Sequence, residues 1–317
     1  MIITVTPNPA WDVTYEVPAL VPGEVHRVTR VHRRLGGKGV NVARVLAATG
    51  HDAVAVLPGP EGLAAQAALD GTDDARLVSD VVPVLPAIRQ TLVVHGGDGT
   101  TTSLWEPGVE PDPRAAEALA SRVRVWLGPD SPAGISAAGV AISGSLPPGL
   151  DSRLPARLAA LAVDTGVPAV VDTSGEALAH AALVPGVVLA PNAAELAQLT
   201  GRDCGRPADA LDAARGLLAS GPLAVVVTLG ADGLAAVARA GTWLGRLAEP
   251  LAGNPTGAGD AATAALVAGL AANAKWPGIV RDAVALSAAA VLAPVAGEVA
   301  PADVTRLRSQ AVVREVS

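Results

Sequence analysis

The sequence predicts an α/β protein: a doubly wound, mostly parallel sheet flanked by helices, with a small β-sheet lid inserted into it. Three observations predict this. Short apolar runs with strand character alternate with longer helical patterns along the chain, as they do when parallel strands are joined by crossover helices. Two segments, Trp11 to Leu35 and Ile88 to Glu106, break that alternation and interleave polar with apolar residues around turns, the pattern of half-exposed hairpins. Two glycine-rich turns far apart in the chain each lead directly into a helix-forming run.

Taken in order, the chain opens on a core strand at Ile2–Thr6, followed by the first lid segment, about 11–35. Leu35-Gly-Gly-Lys-Gly-Val-Asn-Val-Ala-Arg44 turns into a helix running to about Thr49, and Ala53–Leu57 is the next core strand. The second lid segment, about 88–106, turns through His95-Gly-Gly-Asp-Gly-Thr100, a strong hairpin signal. Strands at Gly139–Ser143, Ala169–Asp172, Val187–Ala190 and Ala224–Thr228 then alternate with helices such as Ala115–Trp126, Leu154–Thr165 and Ala208–Ala219. Gly253-Asn-Pro-Thr-Gly-Ala-Gly-Asp260 precedes the Ala-rich helical run Ala261 to Ala274. No internal repeat or flexible linker interrupts the pattern, so a single α/β domain over residues 1–317 is expected.

Composition narrows the function. Half of the residues are hydrophobic, enough for a large core; with no phenylalanine, that core must rest on Val, Leu and Ala. The net charge of −7 opposes general binding to nucleic acid or an anionic membrane. Positive charge nevertheless gathers between His26 and Arg44, in Arg27, Arg30, Arg33, Arg34, Lys38 and Arg44. A basic segment in an acidic protein suits a small anionic substrate, while Arg30, Arg33 and Arg34 also fit a solvated, charged edge strand. No signal peptide or membrane span is recognised, so a cytoplasmic protein is expected. Cys204 is the only cysteine, which leaves no internal disulfide and no zinc-ligand spacing.

The turn ending in Asp260 describes an anion site at a helix start. N–H groups of Gly257, Ala258 and Gly259 are unpaired donors at the positive end of a helix, and Asp260 would lie beside a phosphate bound there. A carboxylate in that place suits proton removal from a hydroxyl that attacks phosphorus; taken alone, it equally suits stabilisation of a helix N-terminus. The turn around Lys38 lacks the spacing of a P-loop and of a dinucleotide fingerprint. Asp12, Lys38, Asn41, Ser143, Asn192, Glu195, Thr228 and Asp260 all follow strand patterns or open helices, which is where open sheets bind ligands.

With Thr6-Pro-Asn-Pro-Ala-Trp-Asp12, Ser143-Gly-Ser-Leu-Pro-Pro-Gly149, Pro191-Asn-Ala-Ala-Glu195 and Thr228-Leu-Gly-Ala-Asp-Gly233, the chain resembles the ribokinase-like (PfkB) carbohydrate kinases over nearly its whole length. Its start, its Gly-Gly-Lys-Gly-x-Asn run and Glu106-Pro-Gly108 resemble the hexose-phosphate branch, which includes 1-phosphofructokinase, tagatose-6-phosphate kinase and a minor 6-phosphofructokinase.

The resemblance implies an ATP- and Mg2+-dependent kinase with Asp260 as general base and the backbone of Gly257, Ala258 and Gly259 as anion hole. It assigns Asp12 and Asn41 to sugar hydroxyls, beside Gly37 and Ser143, and Lys38 and Arg89 to a phosphate the substrate already carries, with Arg27 assisting from the lid. Asn192 and Glu195 would organise Mg2+ through water; as a bare pattern they are also a helix capping box. Thr228 to Gly233, including Gly230, would contact ATP phosphates and ribose. The expected reaction is phosphorylation of fructose 1-phosphate at its 6-hydroxyl. Tagatose 6-phosphate or fructose 6-phosphate, each at the 1-hydroxyl, are the alternatives within the class, and a non-catalytic sugar-phosphate sensor is the alternative outside it. A homodimer through the lid is implied as well. Gln90 and Thr91 stand where relatives often have asparagine, and Asn254-Pro255 replaces a common Val-Asp or Val-Asn pair.

Overall fold

The computed structural model describes residues 1–63, 75–129, 131–132, 134–249, 251–293 and 295–316. Seven strands form the parallel body of a ten-stranded sheet: β1 (Ile2–Val5), β4 (Ala53–Pro58), β5 (Leu77–Val82), β8 (Gly139–Ser143), β9 (Ala169–Asp172), β10 (Val188–Leu189) and β11 (Ala224–Thr228). They lie in the order β11-β10-β9-β8-β1-β4-β5, and all their pairings are parallel. Beyond β11 the sheet turns antiparallel through β12 (Leu234–Ala238), β13 (Gly241–Leu247) and β14 (Ala311–Glu315). That extension and β5 were not anticipated. The β12–β13 hairpin turns through Arg239 and Ala240, which carry none of the Asn-Gly or Asp-Gly chemistry that marks a tight hairpin.

Strand alternation divides the core into two layers. Ile2, Ala53, Ala55, Ala141, Val170 and Val226 pack on one face. It is covered by α1 (Lys38–Ala48), α7 (Ala258–Ala271), α8 (Trp276–Leu292) and α9 (Pro301–Gln310). Their neighbours Ile3, Val54, Val56, Val140, Ile142 and Val171 face the opposite layer. That layer holds α2 (Ala115–Leu127), α3 (Leu154–Asp164), α4 (Gly175–Ala181), α5 (Ala193–Thr200) and α6 (Pro207–Leu218). A period of two along each strand puts successive residues on opposite faces, so near-continuous apolar runs are what a sheet covered on both sides requires.

Small residues let the α7/α8 side close tightly in a chain without phenylalanine. A Cβ on Gly245 of β13 would come within 2.5 Å of Val280 Cγ1, and one on Gly269 within 2.7 Å of Ile279 Cγ1. Trp243 and Trp276 stack beside it, with 6.0 Å between ring centroids. Cys204 is buried and unpaired. Among the described residues no helix is long and apolar enough to cross a membrane.

The two segments that broke the alternation form a separate four-stranded sheet, as expected. It contains β2 (Ala10–Val17), β3 (Arg30–Gly36), β6 (Arg89–Gly96) and β7 (Thr101–Trp105), in the order β3-β2-β6-β7. β2 runs antiparallel to β3 and parallel to β6, so both lid segments share one sheet. β3 is an edge strand and Arg30 on it is exposed, consistent with the charged-edge reading for that residue.

Helix α1 approaches β1 closely enough that a Cβ on Gly39 would lie 2.4 Å from Thr6 Oγ1 and 2.6 Å from the Val5 carbonyl oxygen. Gly39→Ala is therefore expected to lower unfolding free energy by about 1–3 kcal/mol, the usual cost of overpacking. Urea denaturation followed by tryptophan fluorescence measures it; an unchanged midpoint would contradict the contact.

Candidate active site

Strands β1, β8, β9, β10 and β11 all present their carboxyl ends to one cleft of about 800 Å³, and the lid covers the other side. Each strand end delivers residues to it: Asn8 after β1, Gly144 and Ser145 after β8, Thr173 after β9, Asn192 after β10 and Thr228 of β11.

Asp260 lies in the first turn of α7, which begins at Ala258, three residues before the apolar run identified in the sequence. The reason is Gly257, the N-cap at φ 88°, where a side chain would be strained and its Cβ would approach Ala296 to 3.0 Å. Asp260 is buried, and its Oδ2 accepts a hydrogen bond from Asn41 Nδ2 at 3.0 Å. Burial pushes its carboxyl up to about 7; Lys38 pulls it down, and Asp172 pushes the same way as burial. Gly257 and Gly259 line the cleft with Asp260. Ala258 does not, and its N–H, expected as the third donor of the anion hole, is donated to the Pro255 carbonyl at 3.2 Å. The loop before it is tethered by Asn254, whose Oδ1 accepts from Thr256 N at 3.0 Å.

Lys38 donates to Asp172 Oδ1 at 2.8 Å. Burial alone would lower its affinity for a proton, but Asp172, joined by Asp260 and Glu195, outweighs it and holds the ammonium above the ordinary lysine range. The sequence reading paired Lys38 with Arg89; the structure instead seats it among carboxylates. Asn192 and Glu195 form a full capping box on α5, with both reciprocal bonds at 2.9 Å, and both still line the cleft. Burial raises the Glu195 carboxyl, with Lys38 acting against it.

The lid contributes Asp12, Arg89, Thr91 and Arg34. Thr91, conspicuous in the sequence only as a departure, donates to Asp12 Oδ1. The Asp12 carboxylate packs against Gly36, where a Cβ would come within 2.0 Å of its Oδ2. Arg89 donates to the Glu106 carbonyl at 2.8 Å, and burial lowers its pKa against the pull of Asp12 and Glu106.

Besides Ala258, four expected residues fall outside the cleft lining. Ser143 is fully buried, because Ile142 faces the α2–α6 layer and the pleat turns its neighbour the other way; Gly144 and Ser145 line the cleft instead. Arg27 is exposed in the loop before β3. Gly230 opens a short 3₁₀ turn. Gly233 serves packing: its Cβ would overlap the Gly245 carbonyl oxygen at 2.1 Å. Gly37, Lys38, Asn41 and Thr228 line the cleft as expected. Asp172 and Arg34 were missed, although Asp172 closed an expected strand at its carboxyl end, where the open-sheet rule points.

Comparison with known proteins agrees with this geometry. The profile of the pfkB family carbohydrate kinases matches residues 6–303, and the chain belongs to that family. It is 34% identical to a 1-phosphofructokinase of Xanthomonas campestris pv. campestris over 84% of this chain and 83% of that protein. To a 1-phosphofructokinase of Rhodobacter capsulatus it is 37% identical, over 84% and 82%. The crystal structure of Escherichia coli phosphofructokinase-2 in complex with potassium superposes with a TM-score of 0.87 at 28% identity, covering 97% of this chain and 98% of that one. The fold is ribokinase-like, and the protein is a phosphotransferase with an alcohol acceptor.

If Asp260 takes the acceptor's proton, kcat/KM for the acceptor rises about tenfold per pH unit up to about 7 and then levels off. A pH–rate profile checks this. The raised carboxyl also links to folding. Its favourable contribution is fully present below the ordinary aspartate value of 3.8 and is lost as pH rises through about 7. Asp260→Asn is therefore expected to gain stability over wild type between pH 4 and pH 8, read from urea midpoints at both ends.

Proposed function

We propose that this kinase transfers the γ-phosphoryl group of ATP to the 6-hydroxyl of fructose 1-phosphate, forming fructose 1,6-bisphosphate. The observation that carries the reading is Asp260, a buried carboxylate of raised pKa beside a glycine-rich helix start, in a cleft whose other end is lined by arginines. The curated relatives support fructose 1-phosphate. Likeness to phosphofructokinase-2 keeps fructose 6-phosphate as the second reading, with tagatose 6-phosphate beside it.

Asp260 accepts the proton of the attacking hydroxyl while Asn41 fixes the carboxylate's orientation. As that oxygen bonds to the γ-phosphorus, the bond to the β–γ bridging oxygen breaks and ADP leaves. The α7 N-terminus, with the backbone of Gly257 and Gly259, stabilises negative charge on the transferring group. Lys38, oriented by Asp172, adds positive charge there, and Asp12 with Thr91 orients sugar hydroxyls. Thr228 meets the nucleotide at the end of β11.

Among the described residues no group of three or more His, Cys, Asp or Glu forms a protein cage for a metal. That fits Mg2+, which is commonly held by one or two carboxylates, water and substrate phosphates. Glu195 is the carboxylate for it, with Asn192 shaping its helix start; Mg2+ would neutralise charge on the β- and γ-phosphates. We place the activity in the cytoplasm, in one domain spanning residues 1–317, and propose a homodimer through the lid, where Val31, Leu104 and Trp105 are exposed.

The test is ADP release with Mg-ATP across fructose 1-phosphate, fructose 6-phosphate, tagatose 6-phosphate and unphosphorylated hexoses, ranked by kcat/KM. Fructose 1-phosphate is expected to rank first; an unphosphorylated acceptor in first place would move the substrate class. Asp260→Asn is expected to lower kcat by roughly 10²–10⁴-fold with ligand binding retained. Binding without turnover in wild type would point to a sensor. Glu195→Gln is expected to raise the Mg2+ concentration needed for half-maximal rate, measured at fixed ATP.

A further inference from the structure

The lid sheet puts two arginines on either side of Asp12. Arg34 on β3 is the direct cross-strand partner of Asp12 on β2, and Thr91 on β6 is its partner on the other side. Directly paired residues share a face, as do residues two apart on one strand, so Arg34, Asp12, Thr91 and Arg89 belong to one face of the lid. All four line the cleft. The two guanidinium groups are only partly satisfied. Arg34 Nη1 donates to Glu298 Oε1 at 2.8 Å, and Arg89 Nη1 donates to the Glu106 carbonyl at 2.8 Å. Arg34 Nη2 and Arg89 Nε are buried and reach no hydrogen-bond acceptor.

Buried N–H groups of a permanent cation normally find an acceptor. Two such groups flanking one cleft, each on an arginine already anchored through another nitrogen, describe a prepared seat for an anion with several oxygens. The carboxylates Asp172, Asp260 and Glu195 gather around Lys38 in the body, so a phosphate at the lid avoids their repulsion. Asp12, held by Thr91 between the arginines, accepts hydrogen bonds only and suits a sugar hydroxyl next to that phosphate.

We infer that Arg34, together with Arg89, binds the phosphate the acceptor already carries, which makes Arg34 a specificity-determining residue. Arg27, which the sequence suggested for this duty, is exposed outside the cleft. The inference rests on the proposed reading that the acceptor is a sugar phosphate. Glu298 aims the Arg34 fork by occupying one nitrogen and leaving the other to the ligand.

Steady-state kinetics of wild type, Arg34→Ala, Arg34→Lys and Glu298→Gln with fructose 1-phosphate, fructose and ATP test it. Arg34→Ala is expected to raise KM for fructose 1-phosphate roughly tenfold or more, with kcat and KM for ATP changing little, because loss of one charge-assisted contact is of that size. Its preference for fructose 1-phosphate over fructose should fall by the same factor, and Arg34→Lys should recover part of it. Glu298→Gln breaks the same ion pair while keeping the guanidinium, so its effect on KM should be clearly smaller. Equal KM increases in Arg34→Ala and Glu298→Gln would reduce Arg34 to a structural latch and overturn the inference. So would an Arg34→Ala enzyme that keeps the wild-type preference. A wild type with no preference for the phosphorylated sugar would instead sink the functional reading itself, and this inference with it.

Discussion

The site depends on keeping a carboxylate out of water without cancelling its charge. Asp260 is buried, and an isolated buried carboxylate simply stays protonated. Lys38 opposes that, but Lys38 is itself committed to Asp172 at 2.8 Å, so it lends Asp260 only part of its field. The outcome is a carboxyl near 7 rather than at either extreme. Replacing Asp172 with an apolar residue would free Lys38 to pair with Asp260 and quench the base. Asp172, at the carboxyl end of β9, thus tunes the carboxyl of Asp260 through the lysine they share.

That arrangement requires backbones closer together than most side chains permit. Gly36 lies beneath the Asp12 carboxylate, Gly39 against β1, Gly257 against Ala296, and Gly297 against Asn41 Oδ1, where a Cβ would sit at 2.8 Å. Alanine-rich α7 and α8 extend the same economy into the core, so the helix bearing Asp260 packs directly on the sheet that delivers the other ligands. The scarcity of aromatic residues therefore has a structural counterpart: close approach replaces bulk, and each contact glycine becomes sensitive to a single methyl group.

Much of this was legible in the sequence, and what was not has identifiable causes. Parallel strands buried on both faces read as apolar runs, and the lid segments read as alternation, so both sheets were visible. The antiparallel edge was hidden because the Arg239-Ala240 turn lacks a hairpin signature. At the site, residues fixed by turns and helix starts that the sequence singled out, Gly37, Lys38, Asn41 and Asp260, line the cleft. Ser143 falls outside the cleft lining because a motif gives the position of a residue but not the side of the pleat to which it points. Arg34 was hidden among neighbouring arginines, since only pairing register distinguishes the one opposite Asp12 from Arg30 and Arg33.

Register also explains how the cleft can tell its two ends apart. Lid strands contribute cations and one acceptor carboxylate, whereas the body contributes three carboxylates around one lysine. A ligand with phosphate at one end and a free hydroxyl at the other can satisfy both only in one direction. Reversal would bring its phosphate against Asp260 and Glu195 while leaving buried arginine N–H groups without acceptors. Each half of that penalty arises from desolvated charge, which low-dielectric surroundings make costly. On the proposed reading, direction of binding, and with it the hydroxyl presented to Asp260, follows from where the small lid sheet and the ten-stranded body sheet place their charges. The same logic accounts for a lid built from charged strands: Arg34 on the edge strand β3 and Arg89 on the inner strand β6 share the face that is turned to the cleft.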